Sequence, residues 1–282
     1  MLVNTSNNII TAPNIILERT SSRMSNFIDA ADDSNNIKGN NNLMQALRVF
    51  DNIMEINDVW QYVKAFFPTI GGTALSHKFN MVNPSLYEIT WTSAYIHTLS
   101  GIKHNGTANN TATSTLTFND LTYNNTHLLF GELENLPNSG VGAGFLTHTS
   151  SVPNNNTNRF LMHPRFSDSK NYSDHYSGLT NRMSYDNDVA LGVYLTQRTS
   201  STYAETRKNG IIKATTNNNS SGVPLNTDVF KIANIQSLDL SDTTGVYTGL
   251  FSAIGVGYSM PSAQAIAYSQ AVQSLLKICG KI

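Results

Sequence analysis

The sequence is poor in charged residues and carries no excess of one sign. Only 13% of its 282 residues are Asp, Glu, Lys or Arg, and the formal net charge is −1. A surface that binds the phosphate backbone of nucleic acid needs clustered Lys and Arg, and no such cluster occurs here. We therefore predict no nucleic-acid partner.

Cysteine and long apolar runs are also scarce. Cys279 is the single cysteine, so no intrachain disulfide can form, and its place on the apolar stripe of a predicted helix indicates a buried, inert thiol. No apolar run approaches the roughly 18 residues that a membrane span needs, and the N-terminus lacks the pattern of a signal peptide. We expect no membrane partner.

The centre of the chain, by contrast, has a strong β-pattern. Val189, Leu191, Val193 and Leu195 alternate with other residues in the manner of a strand that is buried on one face. Farther on, Asn209-Gly210 separates two strand-like runs and predicts a type I′ hairpin turn, which requires positive φ at both central residues.

The sequence as a whole predicts a chain of three parts. Residues 1–42 have little amphipathic organisation and predict an extended or disordered N-terminal arm, with a frayed tail as the alternative. Residues 43–72 predict a helical connector, because apolar residues recur three or four apart from 43 to 67 as in one helix or a helix pair. Residues 73–282 predict a β-domain that ends in a helix, which Gly280 terminates.

Several segments resemble one family. They are Ser76–Pro84 (SHKFNMVNP), Gly101–Thr107 (GIKHNGT), Asn124–Phe130 (NNTHLLF), the Lys208-Asn209-Gly210 hairpin and the C-terminal stretch that begins at Phe251. Together they resemble the laminin G-like, concanavalin A-like jelly-roll domains found in bacteriophage virion proteins of tails or fibres. The resemblance implies a mainly β protein, a two-sheet jelly-roll sandwich preceded by an extended arm and one or two short helices and followed by a C-terminal helix.

The same resemblance implies a function. It suggests a non-enzymatic bacteriophage virion structural protein, part of a tail, a fibre or a capsid decoration, that is located in the virion. The N-terminal arm would contact other virion proteins, the chain would form a homo-oligomer, and the jelly roll would adhere to a host-surface glycan. The alternative is a free carbohydrate-binding or glycan-hydrolysing protein that shares only the fold.

Two acidic residues test the hydrolase alternative. Some concanavalin-like glycan hydrolases carry an E-x-D-x-x-E pattern on one strand, and Glu132 and Glu134 match its first spacing. A retaining mechanism needs two carboxyl groups only about 5 Å apart. The third acid of the pattern is missing, because Asn135, Leu136 and Pro137 follow. We predict no catalytic residue.

A second candidate is a metal site. Laminin G-like modules often bind Ca²⁺, and Asp186 and Asp188 precede the central strand and could supply hard oxygen ligands. Turn capping explains the same residues equally well. No other cofactor is predicted, because no phosphate-binding loop or zinc-ligand spacing occurs.

The third candidate is a glycan-binding surface. Residues 163–187 predict a polar loop region rich in aromatic residues, and rim loops often carry the binding function of this fold. Arg165, Tyr172, Tyr176 and Tyr185 would form a stacking surface for sugar rings if they converge. The alternative is a set of ordinary solvated turns.

Overall fold

Two β-sheets and four helices form the described part of the chain. The structure is a computed structural model that describes residues 20–107, 110–136, 140–146, 158–176, 182–220, 224–233 and 246–282. The helices are α1 (Ser22–Ala31), α2 (Asn41–Ile56), α3 (Ala74–His77) and α4 (Ser262–Ile278). Within these residues, no helix is long and apolar enough to cross a membrane.

Sheet A is antiparallel and has eight strands. These are β1 (Val63–Phe67), β3 (Tyr95–Thr98), β4 (Gly101–His104), β6 (Thr126–Glu132), β11 (Gly192–Arg198), β12 (Ala204–Lys208), β13 (Ile211–Thr216) and β15 (Leu250–Gly257). Their order is β13-β12-β11-β6-β15-β4-β3, and β1 pairs with β15 beyond the end of β4. All seven residues of β6 are buried, because both faces of this central strand are covered.

Sheet B is also antiparallel and has seven strands. These are β2 (Ile89–Thr90), β5 (Ala112–Thr117), β7 (Ala143–Leu146), β8 (Arg159–His163), β9 (Lys170–His175), β10 (Met183–Asp186) and β14 (Val229–Ile232). Their order is β10-β9-β8-β7-β14-β5-β2. Strand β10 is therefore an edge strand, next to β9.

The central hairpin follows directly from its sequence. Asn209 has a φ of 53° and Gly210 a φ of 81°, as a type I′ turn requires, and Lys208 pairs with Ile211 across the turn. Asn209 also accepts a hydrogen bond from the backbone of Val193 at 2.9 Å. The predicted turn is confirmed.

Apolar residues from both sheets fill the space between them. The alternation of β6 directs Leu128 and Phe130 into this core, and Tyr194 enters it from β11. From sheet B, Phe160 and Met162 of β8 point inward to meet them. This is the core of a two-layer sandwich.

A second core lies on the opposite face of sheet A. Leu129 and Leu195 point outward there and are covered by apolar residues of α1, α2 and α4. Phe50 of α2 stacks on Phe66 with ring centroids 4.6 Å apart, and Tyr268 of α4 contacts the same ring at 6.0 Å. The predicted mainly β sandwich with short helices and a C-terminal helix is confirmed.

The N-terminal region differs from the predicted extended arm where it is described. Residues 22–31 form α1, capped by the Ser21 side chain, which accepts from the Met24 backbone at 3.1 Å. Phe27 and Ile28 are buried in the second core, so tertiary packing stabilises a helix that is short on its own. Residues 1–19 lie outside the described residues, and the division into three domains stays a prediction.

The predicted helical connector is helical only in its first part. Helix α2 ends at Ile56, and Asp58 has a φ of 53°, so the only helix that follows before β1 is a three-residue 3-10 turn at Trp60–Tyr62. Residues 63–67 form strand β1 instead, because pairing with β15 buries Phe66 and Phe67 on opposite faces. Periodicity alone could not separate these two outcomes in so short an apolar run.

Candidate functional site

The region predicted as a polar loop contains two strands. Within residues 163–187 the structure places β9 and β10, which pair in antiparallel register with Ser184 opposite Tyr172 and Tyr185 opposite Asn171. Residues directly opposite each other in such a pair point to the same face of the sheet. The register therefore decides which side chains of this region meet.

Strand β8 identifies the faces of this corner of sheet B. Met162 lies in the core between the sheets and pairs with Ser173, so Ser173 also points inward. Tyr172 and Asp174, which alternate with Ser173, point to the outer face. Arg182 flanks the pair at the start of β10, on the same outer face as Asp174.

Asp174 and Arg182 form the polar centre of this outer face. The guanidinium group donates two parallel hydrogen bonds, Nε to Oδ1 and Nη2 to Oδ2, both at 2.8 Å. Burial alone would lower the pKa of Arg182, but the bonds to Asp174 and its charge raise the pKa above its ordinary value. This bidentate geometry fixes the guanidinium plane.

Arg159 approaches the same carboxylate with poorer geometry. Its Nε lies 3.2 Å from Asp174 Oδ2, but neither Nε nor Nη2 makes a hydrogen bond in the described structure. Burial lowers the pKa of Arg159, and the charge of Asp174 offsets only part of that shift. The Asp174 carboxylate thus lies within ion-pair distance of two guanidinium groups, and Arg159 has N–H donors without an acceptor in the described structure.

Tyr172 supplies an aromatic ring beside these charges. The Arg182 guanidinium carbon lies 4.9 Å from the ring centroid, which is a cation–π contact, and Phe166 meets the ring edge-on at 5.8 Å. The Tyr172 hydroxyl donates to the exposed carboxylate of Asp168, which raises the pKa of Tyr172 and lowers that of Asp168. The ring is half-buried, so part of it stays accessible.

His163 lies beneath this aromatic group. Its ring meets those of Phe166 and Tyr172 edge-on, and its Nδ1 is 3.1 Å from the Gly140 carbonyl oxygen. Burial, the largest cause, lowers the pKa of His163 to about 4. A neutral imidazole with Nδ1–H donating to the carbonyl fits this environment.

Two of the three tyrosines predicted to bind glycan belong to the interior. Tyr176 is fully buried, and its hydroxyl bonds to Thr126 Oγ1 inside the core. Tyr185 points inward because it lies opposite Asn171, and it packs against the core between the sheets. The predicted convergence of Tyr172, Tyr176 and Tyr185 on one surface is therefore wrong.

Arg165 lies in the turn between β8 and β9. Its Nη2 donates to Ser169 Oγ at 3.0 Å, and its Nη1 contacts Asn135 Oδ1 at 3.4 Å. These bonds hold the turn against the loop after β6. Arg165 and Tyr172 are thus on the same hairpin, and only these two of the predicted residues lie near its accessible rim.

The predicted calcium ligands Asp186 and Asp188 flank a buried asparagine, and the calcium site stays a prediction. Asp186 is exposed and lies 3.9 Å from Lys170 Nζ, and Asp188 is exposed as well. Between them, Asn187 is buried, and its amide oxygen accepts a bond from Lys208 Nζ at 2.8 Å. In the described part of the chain, no group of three His, Cys, Asp or Glu residues could hold a metal.

The two glutamates predicted to lack a catalytic role have different environments. Glu134 pairs with Lys103 at 2.9 Å on a partly exposed surface. Glu132 points into the space between the sheets, where burial raises the pKa of its carboxyl well above the ordinary value. Its Oε1 accepts from the Glu134 backbone at 2.9 Å. Glu132 thus lies away from any open face on which a polymer could be cleaved, and the absence of activity stays a prediction.

No pattern in the sequence indicates a binding role for Arg159, Asp174 or Arg182. Each stands alone in the sequence among uncharged residues, and none belongs to a motif. A weak signal exists, since an acid and a base on either side of a polar turn predict a cross-strand pair. That signal needs the hairpin register, which the sequence did not reveal.

No family model and no curated protein sequence matches this chain. Among solved structures it is similar to Domain 4 of AbnA, a GH43 extracellular arabinanase from Geobacillus stearothermophilus, in complex with arabinotriose. The identity is 11%, the TM-score is 0.47, and the match covers 74% of this chain and 98% of that one.

Two further structures show a comparable likeness. The first is Trypanosoma rangeli sialidase, with 9% identity, a TM-score of 0.49, and 82% of this chain and 39% of that chain covered. The second is the botulinum neurotoxin serotype D ligand-binding domain in complex with N-acetylneuraminic acid, with 10% identity, a TM-score of 0.48, and 76% and 51% covered. The neighbours are mainly β, jelly-roll-like domains of glycan-related proteins, and this chain spans about half or less of the last two.

Proposed function

We propose that this chain is a non-catalytic glycan-binding module whose contact surface is the β8–β10 corner of sheet B. The supporting observation is the half-buried Tyr172 ring, held in place by Arg182 and Phe166 on the outer face of the sheet. In the following, the "β8–β10 corner" means Arg159, Phe166, Tyr172, Asp174 and Arg182.

The chemistry of this corner matches that of a sugar. A pyranose presents apolar C–H groups on a ring face and hydroxyl groups at its rim, so an aromatic ring next to fixed donors and acceptors complements it. Four bases of this region, Arg159, Arg165, Lys170 and Arg182, are balanced by four acids, Asp168, Asp174, Asp186 and Asp188. We therefore expect a neutral glycan whose binding changes little with ionic strength.

A glycan array probed with the full chain tests this function. Tyr172→Ala is expected to abolish binding to the glycans that the wild type selects, while Tyr172→Phe, which keeps the ring, retains most of it. Tyr185→Phe serves as the matched control, because that tyrosine points inward. Wild-type binding by the Tyr172→Ala variant would remove the β8–β10 corner from the proposal.

The non-catalytic part of the proposal has its own test. Release of reducing sugar from bound oligosaccharides is expected to be absent in the wild type. Sugar release that disappears on changing Glu132 and Glu134 together to Gln would make the protein a hydrolase instead.

We further propose that the chain belongs to a bacteriophage virion, where the N-terminal region predicted as an arm (1–42) would contact other virion proteins and copies of the chain would associate. The resemblance of the sequence segments to virion jelly rolls is the support for this assignment. Mass spectrometry of purified particles should find the polypeptide at a fixed ratio to the major virion proteins. Its absence from intact particles would leave a free glycan-binding protein.

A further inference from the structure

Lys208 and Asn187 meet at one end of the space between the sheets. Lys208 Nζ donates to Asn187 Oδ1 at 2.8 Å and also bonds the Val189 carbonyl oxygen. Asn187 is only 3% exposed. An amine on a half-buried lysine and a buried primary amide are thus held in contact. Neither side chain belongs to the β8–β10 corner.

The Asn187 amide is fixed from its other side as well. Its Nδ2 donates to the Pro164 carbonyl at 2.7 Å and to the Tyr194 hydroxyl at 2.8 Å. The Oδ1 atom therefore faces the lysine. Such fixed orientation of two reacting groups is a large part of what makes an amide–amine reaction possible in a protein.

Lys208 has the properties of a nucleophile. Burial, together with the charges of Lys213 and Arg165, lowers the pKa of its amine to about 8. Its ammonium nitrogen lies 5.4 Å from the Tyr194 ring centroid, inside an aromatic environment. A lysine with a lowered pKa presents a larger fraction of neutral amine near neutral pH, and only the neutral amine can attack a carbonyl carbon.

Glu132 is a buried acid near this pair in sheet A, and its charge acts on the Lys208 amine. It lies opposite Gly192 on the neighbouring strand, and a Cβ built on Gly192 would be 3.1 Å from Lys208 Cε. Glu132 and the lysine stem therefore flank the same glycine. Its Oε2 is buried with no hydrogen-bond partner in the described structure, so this oxygen is available to exchange a proton.

We infer that Lys208 and Asn187 join in an intramolecular isopeptide bond. Lys208 Nζ bonds to Asn187 Cγ, the Cγ–Nδ2 bond breaks, and Nδ2 leaves as ammonia with one proton taken from Nζ. The reaction consumes no oxidant, reductant or co-reactant. Glu132, which flanks the lysine stem, relays this proton from Nζ to Nδ2. The bond would tie the loop before β11 to the end of β12, and it does not depend on the proposed glycan binding.

The intact mass of the purified wild-type chain tests this inference. We expect a deficit of one ammonia relative to the sequence, and it must be located, because cyclisation at Asn209-Gly210 also releases ammonia. In a tryptic digest the isopeptide bond joins residues 183–198 to residues 208–213 as one branched peptide. A full intact mass, or a deficit found within residues 209–213 alone, would overturn the inference and leave the contact as a hydrogen bond.

Variants locate the bond and the role of Glu132. Lys208→Arg keeps the charge and Asn187→Ala removes the amide, and each is expected to restore the full mass. Glu132→Gln keeps the side-chain shape but exchanges no proton, so bond formation should slow about 100-fold and keep only the pH dependence of the Lys208 amine. A Lys208→Arg chain that still lacks ammonia would overturn the inference, and a Glu132→Gln chain that reacts at the wild-type rate would remove Glu132 from it.

Discussion

The two sheets have different outer faces. On sheet A, α1, α2 and α4 cover apolar side chains such as Leu129 and Leu195. On sheet B, no helix packs over the outer face in the described residues, and the β8–β10 corner presents Tyr172 and the Asp174–Arg182 pair instead.

This difference separates stability from binding. The helices bury apolar area on sheet A, which is the main favourable contribution to folding. The Asp174–Arg182 pair of sheet B contributes little net free energy, because the cost of burying the Asp174 carboxylate offsets its attraction to the guanidinium group. Removing one partner is costly all the same, since it leaves a buried charge unpaired. Tyr172 is held beside this pair without being needed for folding, and it is available for recognition.

The largest expected effect belongs to the covered face. Phe50→Ala removes a fully buried ring that stacks on Phe66, so unfolding should be easier by about 3–5 kcal/mol in urea denaturation. Phe50→Leu fills most of the volume and should lose much less. A change below about 1 kcal/mol for Phe50→Ala would mean that the helices are loosely attached.

Two buried histidines, one on each face, should make stability depend on pH. His127 lies beneath Tyr268 of α4 and His163 lies on sheet B, and burial lowers the pKa of each from 6.5 to about 4. Between these pH values the unfolded chain binds more protons, so stability rises with pH and is lost as pH falls below about 6.5. Each contributes on the order of 3 kcal/mol at most.

Thermal unfolding from pH 4 to pH 8 measures this dependence. His127→Gln and His163→Gln should each flatten the curve by a similar amount, because burial is the main cause in both. If only one variant flattens the curve of stability against pH, the structure around the other histidine unfolds before that histidine becomes protonated.

Removal of the shared carboxylate should have a smaller effect. Asp174→Asn leaves Arg159 and Arg182 without their anion, and we expect a loss of about 2–3 kcal/mol in the free energy of unfolding. Arg182→Lys keeps a charge but loses the fork, and should fall between this variant and the wild type. No loss in Asp174→Asn would show that solvent already compensates both guanidinium groups.

The smallest effect on stability is expected for the Tyr172 ring of the β8–β10 corner. Tyr172→Ala should change the free energy of unfolding by less than about 1 kcal/mol, although it removes as large a ring as Phe50→Ala does. The two substitutions, compared in the same denaturant series, measure how far the two faces differ. Equal losses would contradict that difference.

Local sequence patterns predicted much of the architecture. The Asn209-Gly210 turn depends on residues close in sequence, and its prediction holds. Of the four residues predicted to alternate in the central strand, Val193 and Leu195 are buried in β11, whereas Val189 and Leu191 lie before the strand and are exposed. Helix α1 and strand β1 were missed, because Phe27 and Phe66 acquire their environments from residues far along the chain. Short segments have no secondary structure of their own that outweighs such packing.

The candidate site was less predictable for a related reason. Tyr172 and Tyr185 look alike in sequence, yet a register that places Tyr185 opposite Asn171 sends them to opposite faces. Arg182 and Asp174 meet only because β9 and β10 pair. The contact of Asn187 with Lys208 likewise depends on the end of β12 reaching the loop before β11.

The central claim is that recognition belongs to the β8–β10 corner, and amide chemical-shift mapping with a glycan selected on the array tests it most directly. Titration with the glycan should shift the amide signals of residues 159–163, 166–174 and 182–186 and leave those of α2 and α4 unchanged. Shifts concentrated in the helices, or at the opposite edge of sheet B around β2, would contradict it.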